Sequence, residues 1–216
     1  MYVRFDIRCG SAGDVSTALA PRRAWMVAVL MALLLLGAFV SGCGGELGRA
    51  QGLDNEGDLA GAAAVYSTIL ETDPDNLRAL NGLAADLVLL QQWDQVLPVQ
   101  ERLVSLDKSD VRTRIELGFN YLNHQGRPAD AARVLSEASV LDPTAQHLTF
   151  LAQAQIQSGE EERAEQTLRS AMEVDPRYAH SYRVLSNLLV ANGRTTEAAE
   201  VEDLALLHGV AIETTP

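Results

Sequence analysis

Few side chains in this 216-residue chain belong to the types that do chemistry at neutral pH, and their spacing narrows what they can do. The histidines His124, His147, His180 and His208 form no His-Glu-x-x-His run and no Cys-His pair, and no Gly-rich phosphate loop occurs anywhere. Carboxylates are abundant, with 29 Asp and Glu against 17 Lys and Arg. They are scattered, or bunched as in Glu160-Glu161-Glu162 and around Asp54, Glu56 and Asp58. Such bunches have the composition of an acidic first helical turn or a solvated helix face. No nucleophile stands beside a base and no ligand set converges, so the sequence points away from an enzyme and calls for neither cofactor nor metal. The remaining group with a chemistry of its own is the thiol of Cys43, directly behind Val40-Ser41-Gly42.

The segment before that thiol explains its setting. An uncharged apolar run from Ala24 to Val40 follows Arg22-Arg23 and leads into small residues, the order of a secretory signal peptide. Its 17 residues fall short of the roughly 20 of a comfortable membrane span. Val40-Ser41-Gly42-Cys43 resembles the lipobox of bacterial lipoprotein signal peptides. That resemblance implies residues 1–42 as a signal peptide cleaved between Gly42 and Cys43, a diacylglycerol thioether on Cys43 and acylation of the new amino group. An uncleaved anchor helix is the other reading, since such a run can span a thin bilayer. Both readings leave the rest of the chain outside the cytoplasm, because Arg22-Arg23 hold the N-terminal side in. Met1 to Pro21 is long for a signal-peptide head and contains Asp6 and Asp14, which fits translation beginning at Val15 or Leu19. Cys9 falls in the removed part, so Cys43 has no disulfide partner.

Behind Cys43 the chain is periodic. Ala62, Val96, Ala131, Ala164 and Ala198 form one series, and Ile69, Leu103, Ala138, Ala171 and Ala205 a second; both step by 34, 35, 33 and 34 residues. The units run over about 45–74, 75–108, 109–143, 144–176 and 177–209, the first four closing near Asp73, Asp107, Asp142 and Asp175. A fixed period of this length marks a solenoid, in which each unit buries its apolar face only against its neighbours. Small residues at facing positions let helix axes approach to about 8 Å, while Leu, Ile and Val fill the grooves. Gly57, Gly126, Gly159 and Gly193 are placed to end first helices, and Asp58 and Asp75 to cap the helices that follow them. The pattern resembles the tetratricopeptide repeat (TPR) family. The third unit has Leu117-Gly118, Tyr121, Gly126, Ala131 and Pro143; the fourth Leu151-Ala152, Gly159, Ala164, Ala171 and Pro176; the fifth Leu185-Ser186, Gly193, Ala198 and Ala205. The resemblance covers about residues 45–209 and implies an all-α, right-handed α-solenoid of five helical hairpins.

It also implies a concave groove lined by the first helix of each pair. Carried over unit by unit, the groove positions fall on Arg78, Asn81, Ala85 and Val88, then Arg112, Ile115, Phe119 and Leu122. The fourth unit supplies Thr149, Gln153 and Ile156, and the fifth Arg183, Asn187 and Val190. This mixed apolar and basic floor fits a peptide segment of another protein, with Arg pairing to its carboxylates. Packing between helices is the other reading of Ile115 and Phe119, and solvated surface that of Arg78 and Arg112. Arg183 and Asn187 match half of a carboxylate clamp, with no later unit to complete it.

The chain carries a formal charge of −12; residues 1–42, with four Arg and two Asp, carry +2, so the body carries −14. An acidic body is not steered to nucleic acid or to anionic headgroups, which leaves protein partners, and a membrane reached through the lipid anchor. The expected role is a scaffold in envelope, pilus or secretion-machine assembly, on the extracytoplasmic side of a bacterial membrane. An adaptor for peptidoglycan-cutting enzymes and a component of outer-membrane barrel assembly are the alternatives. The period also has defects: Gln91 stands for the turn Gly, Lys108 for the terminal Pro, Pro98 early in a second helix, and one extra residue falls within Asn123 to Pro128. After the fifth unit Val210 to Pro216 are too few for a capping helix, so Val201, Leu204 and Leu207 are expected to form an open apolar end suited to self-association.

Two outcomes test the N-terminal reading. In Cys43→Ser the body should leave the membrane fraction or remain as uncleaved precursor; unchanged processing and anchoring count against lipidation. Mass spectrometry of the unprocessed precursor should find no peptide spanning Tyr2 to Arg8, and finding one refutes the later start.

Overall fold

The computed structural model describes residues 45–211, so Gly42, Cys43, the apolar run Ala24–Val40 and the start-site question lie outside the described residues. Among those described, no helix is long and apolar enough to cross a membrane. From Leu47 onward the helices form one unit. Helix α1 occupies residues 45–56. It is followed by α2 (Leu59–Thr72), α3 (Leu77–Leu89), α4 (Trp93–Leu106), α5 (Val111–Asn123) and α6 (Pro128–Leu141). The chain continues through α7 (Ala145–Gln157), α8 (Glu161–Val174), α9 (Ala179–Ala191) and α10 (Thr195–Leu207). Each helix from α2 onward packs on its sequence neighbours, giving an all-α solenoid of five hairpins.

Side chains set where several of these helices begin. Asp58 Oδ1 accepts from Gly61 N–H at 3.0 Å to cap α2, Asp110 caps α5 through Thr113 N–H, and Thr144 caps α7 through His147 N–H. Asp75 does not cap α3. Asn76 does, accepting from Ala79 N–H at 3.1 Å, because its own amide donates to Asp73 Oδ2 and turns Oδ1 toward the helix; Asp75 instead receives Arg102 Nε at 2.8 Å. Glu161 and Glu162 sit in the first turn of α8, where the helix dipole favours them. Pro98 does not shift α4: the helix starts three residues before Val96, just as α6, α8 and α10 start three residues before Ala131, Ala164 and Ala198.

The turn between the helices of a pair is a hydrogen-bonded cap with one left-handed residue. Gly159 takes φ +82°, and Glu160 N–H returns to Gln155 O at 2.8 Å. Gln91 adopts the same conformation, φ +58°, with Gln92 N–H on Leu87 O at 2.8 Å, so the missing glycine is met by backbone strain rather than by a different turn. In the third pair Arg127 N–H reaches Tyr121 O at 2.8 Å, six residues back instead of five, and the extra residue is taken up in the turn.

All ten residues of the two periodic series are buried, none more than 3% exposed. Around them the core divides into three clusters, one from Ala50 to Leu103, one from Leu117 to Ala154 and one from Ala152 to Val210. Gly118 is required by packing: a Cβ there would stand 2.6 Å from Leu135 Cγ, so α5 lies against α6 at glycine distance. Arg114, 4% exposed, donates from Nη1 to Asp107 O and Asp110 O at 3.2 and 2.9 Å, tying down the α4–α5 turn where Lys108 replaces proline. At the end of α10, Gly209 closes a cap that brings Val210 N–H to Ala205 O at 2.9 Å and buries Val210. Val201 is buried at 5% and so is no part of an open face, whereas Leu204 and Leu207 are exposed.

The first two pairs contain a buried acid pair. Asp54, assigned from sequence to a solvated face, accepts Tyr66 O–H at 2.7 Å and faces Asp86, which is 3% exposed. Asp54 Oδ1 and Asp86 Oδ2 are buried with no hydrogen-bond partner, so two carboxyl groups meet away from water. Burial and the Asp54 carboxylate push Asp86 up to about 6. Burial and Asp54 likewise hold the Tyr66 phenol well above its usual range, so it stays a donor.

Two measurements follow from this packing. Gln91→Gly should raise stability by about 1 kcal/mol, read from denaturant midpoints, because it removes left-handed strain at an exposed site. A carboxyl group raised in the folded state contributes most below its unfolded value and loses that contribution as pH rises through about 6. Wild type should therefore lose up to about 3 kcal/mol relative to Asp86→Asn between pH 4 and 7, and parallel stability curves would disprove the raised Asp86 carboxyl.

Candidate functional site

The first helices α3, α5, α7 and α9 share one register, so their equivalent residues can be compared directly. At the second residue Arg78 and Arg112 are exposed. At the fifth, Asn81 and Arg183 are exposed, Ile115 is half-buried against the core, and Thr149 is fully buried with its hydroxyl donating to Ala145 O at 2.7 Å. Thr149 thus belongs to the packing and presents nothing to a groove; its short side chain is satisfied within its own helix. At the ninth, Ala85 and Asn187 are exposed, Phe119 packs edge-to-face on Phe150 with centroids 4.7 Å apart, and Gln153 meets His180 at 3.0 Å. At the twelfth, Val88, Leu122 and Ile156 are half-buried and Val190 is exposed.

Only part of this set converges. Asn81, Ala85 and Val88 of α3 and Arg112 and Phe119 of α5 line a single cleft of about 720 Å³. Gln100 and Leu103 of α4 also line it, and both are buried, so α4 forms its floor. The volume falls within the range that holds a side chain or a short segment. Helix α7 packs directly on α9, whereas α3 and α5 are not packed together in that way, and the space left between them is the cleft. Arg78, Ile115, Thr149, Gln153, Ile156, Arg183 and Asn187 lie outside its lining.

The cleft contains residues that the sequence reading did not select. Trp93 stacks on His124 with ring centroids 3.7 Å apart and 6° between planes, closing one end. Asn120, 3% exposed, donates from Nδ2 to Gln100 Oε1 at 3.2 Å and to Trp93 O at 3.4 Å. Its Oδ1 is buried without a partner. One signal in the sequence marked it: the tenth residue of the first helix is Ala154 or Leu188 in the later units, but Asp86 and Asn120 in the second and third, polar at a buried position.

Two of the expected groove arginines have partners on their own helices. Arg112 Nε donates to Glu116 Oε1 at 2.8 Å, a neighbour on its own helix, which raises the guanidinium above its ordinary value. Arg183 Nη2 lies 2.6 Å from His180 Nδ1, and burial together with Arg183 lowers His180, so that imidazole is neutral and accepts. The other two histidines are also engaged locally, His147 at Asp142 O and His208 at the Tyr182 hydroxyl. Among the described residues no three His, Cys, Asp or Glu side chains gather as a metal site.

The architecture is shared with solved structures of low sequence identity. A MamA protein is 19% identical, with 79% of this chain and 96% of that chain covered and a TM-score of 0.66. MamA from Desulfovibrio magneticus is 15% identical, with 77% and 94% covered and a TM-score of 0.64. YrrB, described as a TPR protein with an unusual peptide-binding site, is 18% identical, with 76% and 84% covered and a TM-score of 0.64. No curated protein matches the chain. The family model of the tetratricopeptide repeat matches residues 122–188. The same helical hairpin runs on from Leu59 to Leu207, so the matched tetratricopeptide-repeat segment sits within a longer array of like fold.

Proposed function

We propose that this protein is an exported, lipid-anchored scaffold that holds other envelope proteins through the face of its first helices, in the assembly of a pilus or secretion machine. The observation that carries the holding role is the cleft between α3 and α5, walled by Val88, Trp93 and Phe119 and open to an incoming segment. A peptide laid across such a face gains affinity from side-chain pockets without any bond being made or broken. The same fold in YrrB has a peptide-binding site, which supports reading this cleft in that sense. Export and anchoring rest on Val40-Ser41-Gly42-Cys43 behind its apolar run. A body of net charge −14 gains nothing from anionic headgroups, so attachment falls to acyl chains at about 0.8 kcal/mol per buried CH₂.

Crosslinking and pull-down from native membranes tests the holding role. Ala85→Arg fills the cleft from an exposed position and removes no core packing. Partner recovery should fall at least tenfold while helicity is kept. Undiminished recovery with normal helicity would discard the cleft as the holding site.

A further inference from the structure

The cleft between α3 and α5 has a chemical preference that its general role does not specify. Asn120 Nδ2 faces two acceptors, and one of them, the Trp93 carbonyl, can only accept; this fixes the side-chain amide and leaves Oδ1 as the unsatisfied atom. A buried acceptor without a partner is destabilising, and a donor from an incoming group would recover that loss. The later repeats avoid that cost with Ala154 and Leu188 at the same position. The walls suit a long side chain with a flat, charged end: Val88 lines one side, and Trp93 and Phe119 offer aromatic surface on which a guanidinium stacks. Asp110 and Glu116 stand among the lining residues, and Arg112, the one cation there, is already paired with Glu116. The excess of negative charge on the body adds long-range attraction for a cation.

Resting on the cleft as the holding site, we infer that it takes an arginine side chain from a segment of the partner protein, with a guanidinium N–H donated to Asn120 Oδ1. This partner chemistry is opposite in sign to the one expected from sequence, where groove arginines were to grip carboxylates. Arg112 and Arg183 are engaged within their own helices and the vacant group is an acceptor.

Trp93 gives the test its signal, because the chain has two tryptophans and the emission of the other, Trp25, cancels against Trp93→Phe. The full-length protein in detergent is titrated with a blocked peptide, acetyl-Ala-Leu-Arg-Leu-Ala-amide, and with versions carrying citrulline, norleucine or glutamate in place of arginine. Emission is followed in enough salt to screen long-range attraction, and the same titration of Trp93→Phe is subtracted. The arginine peptide should bind at least tenfold more tightly than the norleucine and glutamate peptides, with citrulline between. Asn120→Leu, which removes the acceptor at little change in volume and is the residue found at the equivalent Leu188, should abolish the preference for the arginine peptide over the norleucine one. A norleucine peptide as tight as the arginine one overturns the inference while leaving the cleft a peptide site. Tightest binding of the glutamate peptide, lost in Arg112→Glu, overturns it in favour of carboxylate recognition. No Trp93 response to any peptide overturns the inference and the cleft reading together.

Discussion

Helices in this protein approach one another only as closely as the smallest residue at each crossing permits, and the rest of the architecture follows from that limit. Ala62, Ala131, Ala164 and Ala198 are buried at the same point of four second helices, and Val96 at that point of the other. With the crossing fixed, Leu83, Leu117, Leu151 and Leu185 fill equivalent grooves on the first helices. Each unit touches only its neighbours, so the fold propagates by repetition of a local contact rather than by closure around a single centre. Gly118 shows how narrow the tolerance is, since even a methyl group there would overlap Leu135.

The fold was legible for the same reason. Small residues at a constant period, glycines in the intra-pair turns and the extra residue before Pro128 are backbone constraints, and such constraints are written directly in residue type. Where the reading missed, two adjacent residues competed for one role and geometry decided, as with Asn76 over Asp75. The site was less legible. Repeat phase selects the outward positions of each first helix, and of these Arg112, Phe119, Asn81, Ala85 and Val88 line the cleft. It had no means of finding Trp93 and Gln100, which come from the second helix, or the pairing of Arg112 with Glu116, which depends on rotamers. Thr149 shares the outward phase and is nevertheless buried, because packing on either side of a helix is not periodic in the way its backbone is.

The departures from regularity gather in one place. Gln91, Pro98 and Lys108 all belong to the second pair, whose α4 underlies the cleft, and the buried polar residues Asp86 and Asn120 fall in the two first helices that border it. Each carries a cost: a left-handed glutamine, a helix carbonyl at Asp94 deprived of its N–H partner by Pro98, a turn that must be held by Arg114, and polar groups placed among apolar ones. Local sequence rules are broken here and almost nowhere else in the array, the distribution expected when a stretch is shaped by something other than stability.

The division of the core into clusters has a mechanical side. One cluster ends at Leu103 on α4, while Leu97 and Val104 of the same helix pack on the next; α4 lies on α5, as α8 does on α9, less extensively than α6 on α7. Helix α4 is therefore a seam between two blocks, each able to loosen with limited effect on the other. Because the cleft straddles that seam, whatever fills it touches both blocks at once. An occupant would act as a splint, holding the two blocks to each other.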